Sequence, residues 1–400
     1  MNIGITIHLK EENESLWING IKLNALYLLK ALKEIGYNTY LLNTSPIQSP
    51  YENKVVWDTE EFPVYDYASH VGSTDLMIYL GSKLADSHVL DFKATDKNKK
   101  AIRYICGNSY FNDLESCMFG ESTEDTSYNQ EFDEIWYVPQ QGELNRDYYR
   151  VLHGLHTSKV RPVPFIWDPI FLDTVSEKYY TSEAVELDSN VPVYRTGIKN
   201  KDKKLACFEP NIGVQKWHIN SLLIAEDYLN SGGEFKKINI FCGKGLLNKK
   251  HYSSILKNTT IFNSDPIKLS YLPRVEAIDA FSQFTDIVIA HQLGNPLNYS
   301  YLDALYLQFP LVHNASMIKD AGYYYEGNNI GAGTRQLKIA IEDHDENIDT
   351  YNSNSERVLT RYTIYNDDLL ETYKQLIETT MEIKDHKLSS IYDWKTNLYK

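Results

Sequence analysis

Short apolar runs alternate with longer amphipathic stretches along the whole chain, the pattern of strands joined by helical crossovers. A first strand is expected over 2–9. A helix follows, because Ile21, Leu23, Leu26, Leu28, Leu29, Leu32 and Ile35 recur at helical spacing and Gly36 stands where such a helix ends. Further strands are expected over 39–43, 75–80, 101–106, 134–139 and 160–165, with a helix over 141–155 between the last two. The pattern fades between 168 and 200. A second series then begins at Lys204, with strands over 205–208, 238–242, 260–262, 286–290 and 310–314 and helices over 217–229, 274–284 and 299–307. From 336 onward the chain reads as helical and charged, with a terminal helix over 367–383 and no strand after it.

The fold class this predicts is α/β, two Rossmann-like doubly wound domains facing across a cleft. Residues 1–170 form the first domain, 171–203 a linker, 204–360 the second domain, and 361–400 a helical segment packing near the junction. Ligands of such sheets bind beyond the carboxyl ends of the strands, so the cleft is the expected site.

Composition narrows the classes. With 42% apolar and 13% aromatic residues the chain buries real cores, which excludes disorder as its main state. Forty basic against 54 acidic side chains leave a net charge of -14, which excludes a non-specific coat on nucleic acid but not a local basic patch. No run reaches the roughly 18 apolar residues of a membrane span. Four cysteines without a short CxxC pair fit a reducing compartment and a cytoplasmic location. The oligomeric state is left open.

Candidate chemistry sits where strands give way to polar loops. Asn19 and Gly20, in Trp17-Ile-Asn-Gly20, suit a helix cap that lets a ligand approach the first-turn amides. It is not a dinucleotide fingerprint. In Glu209-Pro-Asn-Ile-Gly-Val-Gln-Lys216, Glu209 can accept from sugar hydroxyls, Asn211 adds an amide, and Lys216 can neutralise a phosphate. The loop from His291 to Asn298 follows the strand over 286–290, and Asp303 is expected in the first turns of the next helix, placed to clamp a ribose. Plain turns and helix-dipole complementation are the alternatives for each of these. Asp343-His-Asp345 is the one D-x-D; it lies in a charged helical stretch and is read as a surface or capping pair, so no metal site is expected.

Taken together, the two series resemble the two-Rossmann-domain (GT-B) nucleotide-sugar glycosyltransferases. Leu302-Asp-Ala-Leu-Tyr-Leu-Gln-Phe-Pro-Leu-Val312 is similar to the Leu-Glu-Ala-Met-Ala-x-Gly-x-Pro-Val-Val stretch of the retaining group. Asp303 then stands at the ribose-binding acid, Lys216 at the phosphate-binding lysine, and Asn295 where an earlier glutamate would be. Trp17–Gly20, Pro164–Pro169, Phe208–Asn211, Tyr301–Leu305, Pro310–Asn314, Gly322–Tyr325, His344-Asp345 and Tyr351 together resemble an uncharacterised bacterial and phage group of such transferases. The resemblance implies an acceptor domain followed by a donor domain that binds a nucleotide-sugar, UDP-linked, with Gly20, Glu209, Asn211, Lys216, Asn298 and Asp303 in the donor-binding set. In such enzymes helix N-termini and basic side chains, not a required metal, stabilise the leaving diphosphate.

The Tyr-rich, AT-rich style of the chain resembles proteins of T-even-like phages. That implies 5-hydroxymethylcytosine in double-stranded phage DNA as acceptor, by arabinosyl or glucosyl transfer. A bacterial polysaccharide or lipid-linked glycan is the alternative acceptor. Asp168, in Phe165-Ile-Trp-Asp-Pro169, is the first candidate for a general base, with His8, His153 and His156 as rivals; His291 is a candidate on the second domain. A DNA acceptor calls for a basic strip, and Lys97, Lys99, Lys100 and Arg103, or Lys199, Lys201, Lys203 and Lys204, are the clusters on offer. A sugar-nucleotide epimerase or phosphorylase, or a non-catalytic binding module, would carry the same nucleotide clamps.

Overall fold

The structure is a computed structural model that describes residues 1–9, 20–47, 61–81, 86–120, 131–181, 192–265, 267–384, 386, 388, 391–393 and 395–400. Two compact units divide the chain. The first combines Met1–Asp168 with Thr360–Lys400, and the second is Pro169–Leu359.

The sheet of the first unit is seven-stranded and parallel. Its strands are β1 (Asn2–Ile7), β2 (Asn38–Asn43), β3 (Val64–Asp66), β4 (Leu76–Gly81), β5 (Lys100–Ile105), β6 (Glu134–Tyr137) and β7 (Val160–Pro162), in the spatial order β3-β2-β1-β4-β5-β6-β7. Strands buried on both faces need unbroken apolar runs, and Ile3, Ile5 and Ile7 of β1 are each no more than 1% exposed. The helix Gly20–Glu34 follows β1 and buries Leu26, Leu28, Leu29 and Leu32. It ends as expected at Gly36, whose φ of 99° lets Tyr37 N–H reach back to Leu32 O. The helix expected over 141–155 is Gly142–Leu152.

Segment 360–400 belongs to this first unit. Its helix Asp367–Thr380 sends Tyr373 Oη to Pro164 O at 2.6 Å. A two-stranded antiparallel hairpin follows, Tyr392–Asp393 with Leu398–Tyr399, where no strand was expected. Its pattern is too short to read, and its anchor is Asn397. That residue is fully buried, with φ of 63°, and bonds Phe165 N and O, Arg361 O and Tyr392 Oη.

The second unit opens with the helix Ile170–Thr181, within the stretch expected as a linker. Its sheet has six parallel strands: β8 (Lys204–Cys207), β9 (Lys237–Phe241), β10 (Leu269–Leu272), β11 (Ile287–Ile289), β12 (Leu311–His313) and β13 (Tyr323–Tyr324), ordered β10-β9-β8-β11-β12-β13. The strand expected over 260–262 is instead the helix Thr260–Ser264. The Glu226 carboxylate takes Thr260 N–H at 2.6 Å and Ile261 N–H at 2.9 Å, and Thr259 caps Phe262 N–H. The third strand of the sheet is therefore β10. Gly322, between β12 and β13, has φ of 66°, and a Cβ there would lie 2.8 Å from His313 Nε2, so only glycine fits.

Both sheets thus run 3-2-1-4-5-6, the second stopping there and the first adding β7 outside. That order places a topological switch point between β1 and β4 in one unit and between β8 and β11 in the other. Among the described residues no helix is long and apolar enough to cross a membrane.

Candidate functional site

At the switch point of the second sheet, β8 ends at Cys207 and β11 at Ile289. Glu209 and His291, each two residues beyond its strand, meet there: His291 N–H donates to Glu209 Oε1 at 3.0 Å. Tyr301 Oη donates to the same oxygen at 3.2 Å, and Cys207 Sγ to Oε2 at 2.8 Å. Glu209 is 2% exposed. Burial pushes its carboxyl above the ordinary range, against the pull of these hydrogen bonds. Both oxygens are already engaged inside the protein, so Glu209 braces the junction of β8, β11 and the helix Tyr299–Tyr306 instead of offering itself to a sugar hydroxyl.

The loop after β8 is set by Asn211. Its φ of 56° is a left-handed conformation that asparagine tolerates better than most residues. The side chain donates to Glu209 O and Phe241 O, and accepts from His218 N and from His218 Nδ1 at 2.6 Å. Asn211 therefore shapes the loop. His218 Nε2 in turn accepts from Tyr252 Oη at 2.7 Å.

Lys216 closes the same loop, its backbone O holding Asn211 N–H at 3.0 Å. The side chain is half-buried, and no hydrogen bond or ion pair to its ammonium group occurs among the described residues. Burial lowers its pKa, the Glu209 charge opposes that shift, and the Arg274 charge adds to it. A partly desolvated ammonium beside a guanidinium favours an anion. Gln215 ties this loop to the one after β11, its O accepting Leu293 N–H at 2.9 Å.

His291 is 4% exposed. Asn220 Nδ2 donates to its Nε2 at 2.7 Å, so Nδ1 carries the proton and donates to Tyr325 Oη at 2.9 Å. Burial pushes its pKa down to about 4, which keeps the ring neutral at pH 7. With both nitrogens engaged, His291 orients its neighbours. Asn298 is the N-cap of Tyr299–Tyr306 but makes no side-chain cap bond, and its amide has no hydrogen-bond partner among the described residues. Asp303 is the fifth residue of that helix, half-buried, and no acid occupies the first turn. It lies in the second turn, within the first turns where it was expected.

In the first unit, Gly20 is exposed at the start of its helix, with its O accepting Asn24 Nδ2 at 2.7 Å; Trp17, Ile18 and Asn19 lie outside the described residues. His8 follows β1 at the switch point and is half-buried, Nδ1 3.2 Å from Thr44 Oγ1. Asp168 is 1% exposed, its carboxylate accepting Thr363 Oγ1 at 3.1 Å and its backbone O accepting Tyr27 Oη at 3.0 Å. Those contacts join segment 360–400 to the exit of β7 within the unit, a structural position. His153 is 1% exposed, and His156 caps a short turn at Ser158 N.

The lysine clusters offered for a nucleic acid are largely engaged elsewhere. Lys99 bonds Gly72 O, Lys100 pairs with Glu382, Arg103 lies over the Phe132 ring, Lys203 bonds Ile341 O, and Lys204 bonds Gln283 O. Asp345 receives Tyr194 Oη and Gly197 N–H, which gives the D-x-D a bracing role. Among the described residues no three His, Cys, Asp or Glu side chains gather as a metal site.

Sequence reasoning found the loops but missed Tyr301, Tyr325, Asn220 and Gln215 as the groups that lock them. Tyr301, Tyr325 and Gln215 lay within stretches already singled out, while Asn220 carries no local signal.

Known structures share this arrangement. The Anabaena Alr3699/HepE structure in complex with UDP-glucose superposes with a TM-score of 0.53 at 10% identity, over 94% of this chain and 99% of that one. An OtsA apo structure gives 0.53 at 10%, over 95% and 98%. The Candida albicans trehalose-6-phosphate phosphatase N-terminal domain gives 0.52 at 11%, over 95% and 96%. At such identities the likeness is one of fold, the two-unit Rossmann-like (GT-B) architecture. No curated protein sequence matches the chain. A family described as "Protein of unknown function (DUF2827)" matches residues 3–377.

Proposed function

The chain belongs to the DUF2827 family, and from that premise we propose that it is a glycosyltransferase moving a sugar from a nucleotide-sugar to a hydroxyl acceptor. The observation that carries this reading is Lys216: an ammonium group without a hydrogen-bonded or ion-paired partner among the described residues, beside the switch point of a second Rossmann-ordered sheet. That is where such a sheet binds its ligand. The diphosphate is assigned to Lys216, with Arg274 adding positive charge nearby, and to the uncapped helix start at Asn298. Asp303 is assigned to the ribose. A UDP-sugar is the donor we put first, because one similar structure is a complex with UDP-glucose.

Acceptor activation is assigned to the first unit, where His8 stands after β1. For the acceptor itself, a hydroxyl of a bacterial-type glycan comes first, the usual acceptor of this architecture in bacteria. The second reading is 5-hydroxymethylcytosine in DNA, favoured by one observation, the basic strip described below.

Titrating UDP, GDP, ADP and CMP against the melting temperature tests the donor site. One nucleotide is expected to raise the midpoint selectively, and Lys216→Ala is expected to weaken its binding by about tenfold, the value of a charge-assisted hydrogen bond. No shift with any nucleotide would overturn the donor assignment and favour a different ligand.

A further inference from the structure

Between Glu234 and Asp265 the sequence holds six lysines and neither aspartate nor glutamate, in a chain whose net charge is -14. Two of the six, Lys236 and Lys237, lie at the start of β9. The other four follow its carboxyl end. Lys244 stands in the short helix Lys244–Asn248, Lys249 caps the helix Lys250–Leu256, and Lys257 closes that helix. All four are exposed, as is His251, and none of their side chains has a hydrogen-bond or ion-pair partner among the described residues.

The helix fixes which way they point. Tyr252 and Leu256 are buried, so Lys250, Ser254 and Lys257, at i, i+4 and i+7, share the outer face. Ser254 Oγ bonds Lys250 O at 3.0 Å and Asn258 Nδ2 bonds Ser254 O at 2.8 Å, which holds Asn258 along the same row. The two helical segments run about 10 Å each at ordinary rises per residue. Over that length the exposed side chains are lysine, histidine, serine and asparagine, with Leu247 37% exposed as the large apolar exception. A lipid-binding surface needs bulky apolar groups to insert, and this face lacks them. Lysines spaced among serine and asparagine are the groups that contact sugar-phosphate backbones.

We propose that the strip formed by Lys244, Lys249, Lys250 and Lys257 docks the phosphate backbone of a double-stranded nucleic acid. The lysines supply charge without base-edge geometry, so the docking is independent of sequence, and counterion release makes it dependent on salt. The proposal stands on the charge and exposure of the strip itself and, where it holds, supports the DNA reading of the acceptor: the strip lies on the second unit, whereas acceptor activation is assigned to the first.

Fluorescence anisotropy of a labelled, unmodified DNA duplex against the full chain, at a series of salt concentrations and without nucleotide-sugar, tests it. The wild type is expected to bind at low salt. The triple variant Lys249→Gln, Lys250→Gln, Lys257→Gln is expected to bind at least about tenfold more weakly, with the slope of log affinity against log salt reduced by roughly 3, about one per lysine. The paired variant Lys199→Gln, Lys201→Gln, at exposed lysines outside the strip, is expected to keep the wild-type slope. Absence of duplex binding by the wild type, an unchanged slope in the triple variant, or the same loss in the paired variant overturns the proposal. So does tighter binding to phosphatidylglycerol vesicles than to DNA, lost in the triple variant, which assigns the strip to a membrane. Donor binding is measured separately by nucleotide titration, so failure of one reading is distinguishable from failure of the other.

Discussion

Thr44 has one hydroxyl proton, and at 3.1 Å it goes to Ile7 O. The contact between Thr44 Oγ1 and His8 Nδ1 must then be donated by the ring, so His8 holds its proton on Nδ1 and presents a lone pair at Nε2. No described residue bonds that nitrogen. Of the other candidates, Asp168 and His291 are buried and engaged on their polar atoms, and His153 and His156 lead into the amino end of β7, opposite the strand ends where ligands bind. His8 is therefore the candidate at a switch point with a nitrogen open to a proton. His8→Ala is expected to lower kcat by roughly 100-fold or more, the usual range for a general base, with nucleotide affinity unchanged. A variant with wild-type turnover would remove His8 from the reaction. The sequence showed where His8 and Asp168 stand along the chain, but the choice between them depends on Thr44 and Thr363, which lie 36 and 195 residues away.

Elements whose own residues decide their state were legible, and elements decided by a distant partner were not. The apolar runs of β1, β4, β6, β8, β9 and β12 read directly as strands because both faces are covered. In contrast β3, with Tyr65 and Asp66 exposed, and β13, two residues long, owe their strand state to pairing with β2 and β12. Helix Thr260–Ser264 looked like a strand from its β-branched start, and the Glu226 carboxylate that settles it is 34 residues away. The polar loops after β8 and β11 were visible for the same local reason as the strands, a change from apolar to polar at the strand end. What Glu209 does there was not visible, since its donors come from β8, the loop after β11 and the helix beyond. One strand also carries a buried acid. Glu134 on β6 is fully buried, 3.1 Å from Lys159, 3.3 Å from Arg161 and 3.1 Å from the Trp136 indole N–H. Glu134→Leu leaves the largely buried Arg161 without its anion and is expected to destabilise the chain by about 3 kcal/mol or more. Urea unfolding measures it; a loss under about 1 kcal/mol, the range of an exposed pair, contradicts the assignment.

On the scale of the whole molecule, the second unit carries a pH dependence. Burial pushes His218, His291, His313 and His344 from 6.5 down to about 4. The unfolded chain therefore takes up protons below about 6.5 that the folded chain refuses, and stability is lost as pH falls toward 4. Each ring removes up to about 1.4 kcal/mol per pH unit in that window. Glu209 and Asp286, raised by burial, act in the opposite sense, while Glu226 and Asp345, held down by hydrogen bonds against their burial, add to the loss at lower pH. Denaturant midpoints at pH 7 and pH 5 are expected to fall with acidification, and equal midpoints refute the account. The division of the chain has a consequence of another kind. Because one unit is assembled from residues 1–168 and 360–400 with the other inserted between them, a ribosome completes the inserted unit first. The opening segment has to wait, its β7 exit uncovered, until Tyr373 and Asn397 emerge to bond Pro164 and Phe165. Chain order and folding order are thus nested, and a nascent chain halted near residue 359 holds one finished unit and one that still needs its last piece.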